Sequence, residues 1–170
     1  MRVLAIDPGY ERLGLAVLEK KAGGKEQLIF SECFQTPKTS LFPDRLHAVG
    51  VELCKIIKEY SPDAIAIESL FFTNNQKTAM HVAEVRGVIM YEAMNNALQF
   101  AEYTPAQIKI AVTGDGHADK KQIFSIVPKL VKIDKEIKFD DEYDAIAIGI
   151  TFLACVSYPQ GTHLAISDIA

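Results

Sequence analysis

The sequence lacks paired cysteines, a long apolar run, a basic excess and any internal repeat, and each absence removes a class of protein. Cys33, Cys54 and Cys155 are odd in number, far apart and without CxxC spacing. That excludes a disulfide framework or a zinc ribbon and suits reduced thiols in a cytoplasmic protein. The longest apolar stretch, Ala145 to Val156, is interrupted by Gly149 and Thr151. It is too short to cross a bilayer and reads as a buried helix, so no membrane association is expected. Arg2 and a short apolar segment stopped by Asp7 do not make a signal peptide. The glycine-rich segment from Thr113 to Lys120 lacks the spacing of a nucleotide-binding loop. Without repeats or linkers, 170 residues suit one domain, expected over residues 1–158 with a C-terminal tail at 159–170.

Basic charge is also scarce. The formal net charge is −4, the opposite of the usual nucleic-acid footprint. Its distribution softens the objection, because residues 105–139 carry seven lysines against four acids. Two divalent cations held by acids elsewhere would cancel the rest.

What is present is a clear order of elements. Val3–Ile6 and Leu13–Leu18 read as strands joined by Asp7-Pro8-Gly9, and Gln27–Phe34 as a third strand after Gly23-Gly24. A helix near Asp44–Tyr60 shows Leu46, Val49, Leu53, Ile56 and Ile57 on one face. Ala64–Ile67 is all apolar, as in a strand buried on both sides. The following helix, about Gln76–Leu98, has apolar residues on more than one stripe, which calls for a central position or a partner chain. Phe100–Tyr103 is a fifth strand. Thr104 with Gln107, and Asp119 with Gln122, have the spacing of capping boxes, and Asp141 opens a last helix to about Tyr158. Three antiparallel strands, then strands alternating with helices, predict an α/β mixed five-stranded sheet flanked by helices.

Four acids stand out against this frame. Asp7 and Glu68 each end a central strand, and Asp141 and Asp144 share one face at the start of the last helix. Parallel strands expose their C-terminal ends on the same edge, where α/β sheets place their sites. Converging carboxylates suit Mg²⁺, which takes hard oxygen ligands and keeps several waters. Two such ions could activate a water and stabilise the leaving 3′ oxygen of a phosphodiester. Each acid also has an ordinary reading: Asp before Pro-Gly is a common turn residue, and Asp141 suits an N-cap. Phe71 and Phe72, in a polar loop just after Glu68, could wedge between bases or simply cover the core.

Together these segments resemble the RuvC family of Holliday-junction resolvases. Ala5-Ile6-Asp7-Pro8-Gly9 with Leu13-Gly14-Leu15-Ala16-Val17 resembles the family's first strand and hairpin. Ala66-Ile67-Glu68-Ser69-Leu70-Phe71-Phe72, on to Asn75 and Arg86-Gly87, resembles its second acidic motif. Glu102-Tyr103-Thr104-Pro105, Ile108-Lys109 and Ala118-Asp119-Lys120 are similar to its third block, and Asp141-Glu142-Tyr143-Asp144-Ala145 to its closing motif. The resemblance implies an RNase H-like fold and a homodimer that nicks four-way junction DNA in recombination and repair. It further implies Mg²⁺, with Mn²⁺ as substitute and two ions per subunit, on catalytic Asp7, Glu68, Asp141 and Asp144. Phe71, Phe72, Asn75, Arg86, Lys109 and Lys120 would contact nucleic acid, and a branch-migration motor is a possible partner. Three alternatives stay open: a related nuclease for RNA or other branched DNA, a non-catalytic junction-binding protein, and an actin-like ATPase module, whose first phosphate turn Asp7-Pro8-Gly9 also resembles. The last would need two such lobes.

Overall fold

The computed structural model describes residues 1–69 and 76–156, the side chains of residues 76–78 excepted. Its elements follow in the order β1 (Arg2–Asp7), β2 (Arg12–Lys20), β3 (Glu26–Gln35), α1 (Phe42–Tyr60), β4 (Ala64–Glu68) and α2 (Gln76–Asn95). They continue with β5 (Gln99–Tyr103), α3 (Pro105–Thr113), α4 (Lys120–Leu130) and α5 (Asp140–Cys155). The sheet runs β3-β2-β1-β4-β5. The first three strands are antiparallel neighbours, while β4 pairs parallel to β1 and β5 parallel to β4. This is the expected mixed five-stranded sheet of the RNase H-like α/β class. The expected tail at 159–170 lies outside the described residues.

Side-chain size alternates along the central strands and sets how closely each face can be approached. Val3, Ala5, Ala16, Leu18, Ala64 and Ala66 point to one face and pack against α3, α4 and α5. Leu4, Ile6, Leu13, Leu15, Val17, Ile65 and Ile67 point to the other and pack against α1 and α2. Successive strand residues alternate faces, so the first face is mostly alanine and the second is all large aliphatic. The alanine face lets α5 lie close. At Gly149 a Cβ would fall 2.3 Å from Leu18 Cδ1 and 3.3 Å from the Ala5 Cβ, so a larger residue there would have to displace Leu18.

Both capping boxes form as their spacing predicts. Thr104 Oγ1 accepts from the Gln107 N–H at 3.2 Å, and Asp119 Oδ1 accepts from the Gln122 N–H at 2.8 Å. Each glutamine returns its side-chain oxygen to the capping residue's N–H. Several helix ends differ from expectation: α1 begins at Phe42 and α5 ends at Cys155, short of Tyr158. Helix α2 stops at Asn95, short of Leu98, because Ala97 adopts a left-handed φ of 53° and the Leu98 N–H turns back to the Ala93 carbonyl. Helix α5 begins one residue early, with Phe139 at the N-cap and no side-chain cap. Asp141 is therefore inside the first turn and is not spent on capping.

The two apolar stripes of α2 have different fates. Val85, Ile89 and Ala93 are buried against the sheet, whereas Met80, Met90, Tyr91 and Met94 are exposed. Between α1 and α2 runs a groove of about 1040 Å³ lined by Leu46, Val51, Val88 and Tyr91 among others.

Candidate active site

Strand parity brings the first two acids together. Ile6 pairs with Ile67 across the parallel β1–β4 ladder, so Asp7 and Glu68 are the next residues along neighbouring strands. Both share the parity of the alanine face and turn toward α5. Gly14 faces Asp7 across the antiparallel β1–β2 pair. A Cβ on Gly14 would lie 2.0 Å from the Asp141 carbonyl oxygen and 3.1 Å from the Asp7 Cβ. The start of α5 thus rests directly on the strand end that carries Asp7, with Asp141 and Asp144 in its first turns.

The electrostatics report the same convergence. Burial, followed by the charges of Asp144, Glu68 and Asp141, pushes the Asp7 carboxyl up to about 8. Glu68 is raised by burial and then by Asp144, with Lys120, Arg86 and Lys109 opposing. Asp144 is raised by burial against the pull of Lys120. Burial also raises Asp141, with Arg12 among the groups that oppose it. Four carboxylates raised by burial, with Asp144 adding to Asp7 and Glu68, are costly without a counter-charge.

Two cations supply part of it. Lys120 Nζ lies 2.9 Å from Asp144 and 2.8 Å from Asp140. Burial works against its ammonium, but the hydrogen bonds to Asp140 and Asp144 outweigh that and raise its pKa. Arg12 Nε lies 3.1 Å from Asp141, and its guanidinium sits 5.6 Å from the Phe139 ring centroid. A cavity of about 300 Å³ opens beside these groups, lined by Glu68, Lys109, Lys120 and Asp144.

Arg86 is turned inward. It is 8% exposed, its guanidinium donates to the Glu68 carbonyl, and it pairs with Glu102 at 2.7 Å. It braces the end of β4 and has little surface to offer a ligand. Phe71, Phe72 and Asn75 lie outside the described residues. Sequence reasoning missed Arg12, Asp140 and Glu102. The run Asp140-Asp141-Glu142 held a signal for one of them, since residues four apart such as Asp140 and Asp144 share a helix face. Nothing in the spacing marked Arg12.

Among the described residues, no three acidic, histidine or cysteine side chains stand close enough to form a full ligand shell. Arg12 and Lys120 occupy two of the carboxylates instead. The donor set still fits a hard divalent cation. Mg²⁺ needs only one or two protein carboxylates beside waters and substrate oxygens, and the repulsion that adds to burial in raising Asp7 would be relieved by it.

Comparison with known proteins gives this arrangement its family. The family model for "Crossover junction endodeoxyribonuclease RuvC" matches residues 3–152. The chain belongs to the RuvC family. The RuvC of Thermosipho melanesiensis is 45% identical over 149 residues, covering 88% of this chain and 94% of that protein. The RuvC of Caldicellulosiruptor saccharolyticus is 42% identical over 150 residues, covering 88% and 90%. Among solved structures, Thermus thermophilus RuvC in complex with Holliday junction substrate aligns with a TM-score of 0.82 at 28% identity. It covers 89% of this chain and 92% of that one. The RuvC match spans all four acids and both lysines of the site.

Proposed function

We propose that this protein is a Mg²⁺-dependent endodeoxyribonuclease that resolves Holliday junctions by paired phosphodiester hydrolysis, acting as a homodimer in the cytoplasm. The observation that carries the reading is the meeting of Asp7, Glu68, Asp141 and Asp144 at one sheet edge, beside a cavity lined by Lys109 and Lys120. Family membership over residues 3–152 makes four-way junction DNA the favoured substrate, and a branch-migration motor a candidate partner.

Asp7, Glu68, Asp141 and Asp144 would hold the metal, two ions per subunit. Bound divalent ions would supply a water nucleophile at neutral pH and charge stabilisation at the leaving 3′ oxygen. Asp7 has first to give up the proton that burial, reinforced by the neighbouring carboxylates, forces on it. Lys120, paired with both Asp140 and Asp144, can release Asp144 as a ligand and stay tethered by Asp140, its ammonium at the cavity. There it and Lys109 can meet a phosphate as point charges. Arg86 would act from behind, keeping the Glu68 backbone in place.

Cleavage of a synthetic four-way junction, a duplex and an RNA–DNA hybrid, each with Mg²⁺ and with chelator, tests the reading. Paired nicks confined to the junction and abolished by chelator are expected. Preferential cutting of the hybrid would replace the substrate, and tight junction binding without any cutting would leave a binding protein.

A further inference from the structure

Beside the metal-site acids lies a fifth carboxylate that the reaction does not use. Glu142 sits between Asp141 and Asp144 in the first turn of α5, yet it is only 5% exposed and faces β3. Its Oε1 accepts from Ser31 Oγ at 2.6 Å and meets Lys135 Nζ at 2.6 Å. Lys135 also donates to the Ser31 backbone carbonyl. Three segments distant in sequence are joined at one oxygen: the edge strand β3, the connection between α4 and α5, and the helix that bears two of the proposed ligands.

We propose that Glu142 is a positioning residue that clamps the first turn of α5 onto the sheet, so that Asp141 and Asp144 stand ready for metal. The inference rests on the metal-site reading above. The need for a clamp follows from charge and geometry. Asp140, Asp141 and Glu142 are consecutive, and Asp144 follows one residue later. Asp141 and Asp144 stand at the strand end that carries Asp7, so four acids within five residues crowd like charge into the turn that must dock there. No side chain caps the helix at Phe139, so the usual local fixture is missing. The turn must nevertheless sit close, because the Asp141 carbonyl occupies the space a Gly14 side chain would take. The Ser31–Glu142–Lys135 cluster ties the turn down from the side that faces β3. Groups that orient a ligand without touching metal typically contribute 10–100-fold in metal affinity.

Removing Lys135 leaves the Glu142 carboxylate buried without its counter-charge, which destabilises the fold whatever else the cluster does. Removing both partners separates the two roles. The set is therefore Glu142→Gln, Lys135→Met, the double variant, and Asp144→Asn as comparator, each in the full chain. Mn²⁺ affinity is read by calorimetry well below the melting temperature, and kcat and KM on a four-way junction are read beside it. Glu142→Gln should bind Mn²⁺ about 10–100-fold more weakly, with kcat reduced and KM for the junction unchanged. The double variant should recover the melting temperature but not the Mn²⁺ affinity. A double variant that binds Mn²⁺ as tightly as wild type, while Asp144→Asn does not, would overturn the positioning role and leave Glu142 as packing. If Asp144→Asn also binds Mn²⁺ normally, the metal-site reading itself fails and the inference falls with it. Should Glu142→Gln not fold, the double variant alone decides.

Discussion

The two faces of the sheet are built to opposite specifications. On one face Ala5, Ala16, Ala64 and Ala66 are small enough for α5 to approach until a Cβ at position 14 would strike backbone and one at 149 would displace Leu18. On the other face Leu4, Ile6, Leu15, Ile65 and Ile67 hold α1 and α2 off on a thick aliphatic layer. The close face fixes backbone against backbone, and all four proposed ligands stand there. The thick face fixes nothing so finely, and α2 leaves Met80, Tyr91 and Met94 outward. The chemistry thus lies where movement is most restricted, and the surface open to a partner lies where packing is most forgiving.

The largest expected effect sharpens this contrast at Asp7. Asp7→Asn should reduce junction cleavage by at least about 100-fold, beyond the usual cost of an outer-shell partner, while junction binding survives. In the metal-free protein the same change should stabilise the fold. The Asp7 carboxyl has a pKa of about 8 in the folded state against 3.8 ordinarily. The folded protein then holds a proton that the unfolded chain has lost. Stability from this group is complete below about pH 4, falls as pH rises toward about 8, and stays low above it. The gain on substitution should therefore be greatest at pH 8 and above. It should reach at least about 1.4 kcal/mol, the worth of one pKa unit. Melting curves at pH 5 and pH 8.5 with chelator test the sign. A variant less stable than wild type at pH 8.5 would remove the crowding on which the site rests.

A smaller effect separates the faces by a single methyl group. Gly14→Ala places a carbon against the Asp141 carbonyl at 2.0 Å, where only movement of α5 can relieve it. A loss of about 1–3 kcal/mol is expected from overpacking, together with weakened metal binding. Gly50→Ala in α1 meets Val88 Cγ1 at an ordinary 3.5 Å. That change should be neutral or gain about 0.5–1 kcal/mol from helix propensity. Equal tolerance at both positions, read by denaturant titration, would show that α5 is not seated as described.

Much of this was legible in the sequence, and the reasons are local. Strands, capping boxes and the acids at strand ends are signalled within a few residues by alternation, turn residues and spacing. The interplay of Arg12 with Asp141, or of Glu102 with Arg86, joins residues 129 and 16 apart in the chain, and no periodicity marks such pairs. Arg86 shows what a motif alone leaves out. It sits in the expected motif, but its guanidinium is turned inward to the Glu68 carbonyl. Alternation marked the strands as apolar, while the division of small and large residues between their faces emerged only once the register was known.

The smallest expected effect lies on the forgiving face and concerns assembly. The apolar residues on more than one stripe of α2 leave room for a partner chain, but not every position on the helix can report on one. Ile89 is fully buried within the subunit, so changing it would test the core: Ile89→Ala should cost about 2–5 kcal/mol of stability without reporting on a partner. The stripe that a second copy could cover holds Met80, Tyr91 and Met94, and Tyr91 also lines the groove beside α1. A junction with approximate two-fold symmetry needs two active sites related in the same way, and a shared α2 face would provide that axis. Tyr91→Asp should weaken dimerisation at least tenfold, about 1.4 kcal/mol. Because Tyr91 is 66% exposed in the subunit, the change should leave subunit stability within about 0.5 kcal/mol. Sedimentation equilibrium beside a denaturant titration reads both quantities. A wild type that is monomeric at micromolar concentration would end the dimer proposal. A Tyr91→Asp variant that dimerises as tightly as wild type would move the interface to another surface.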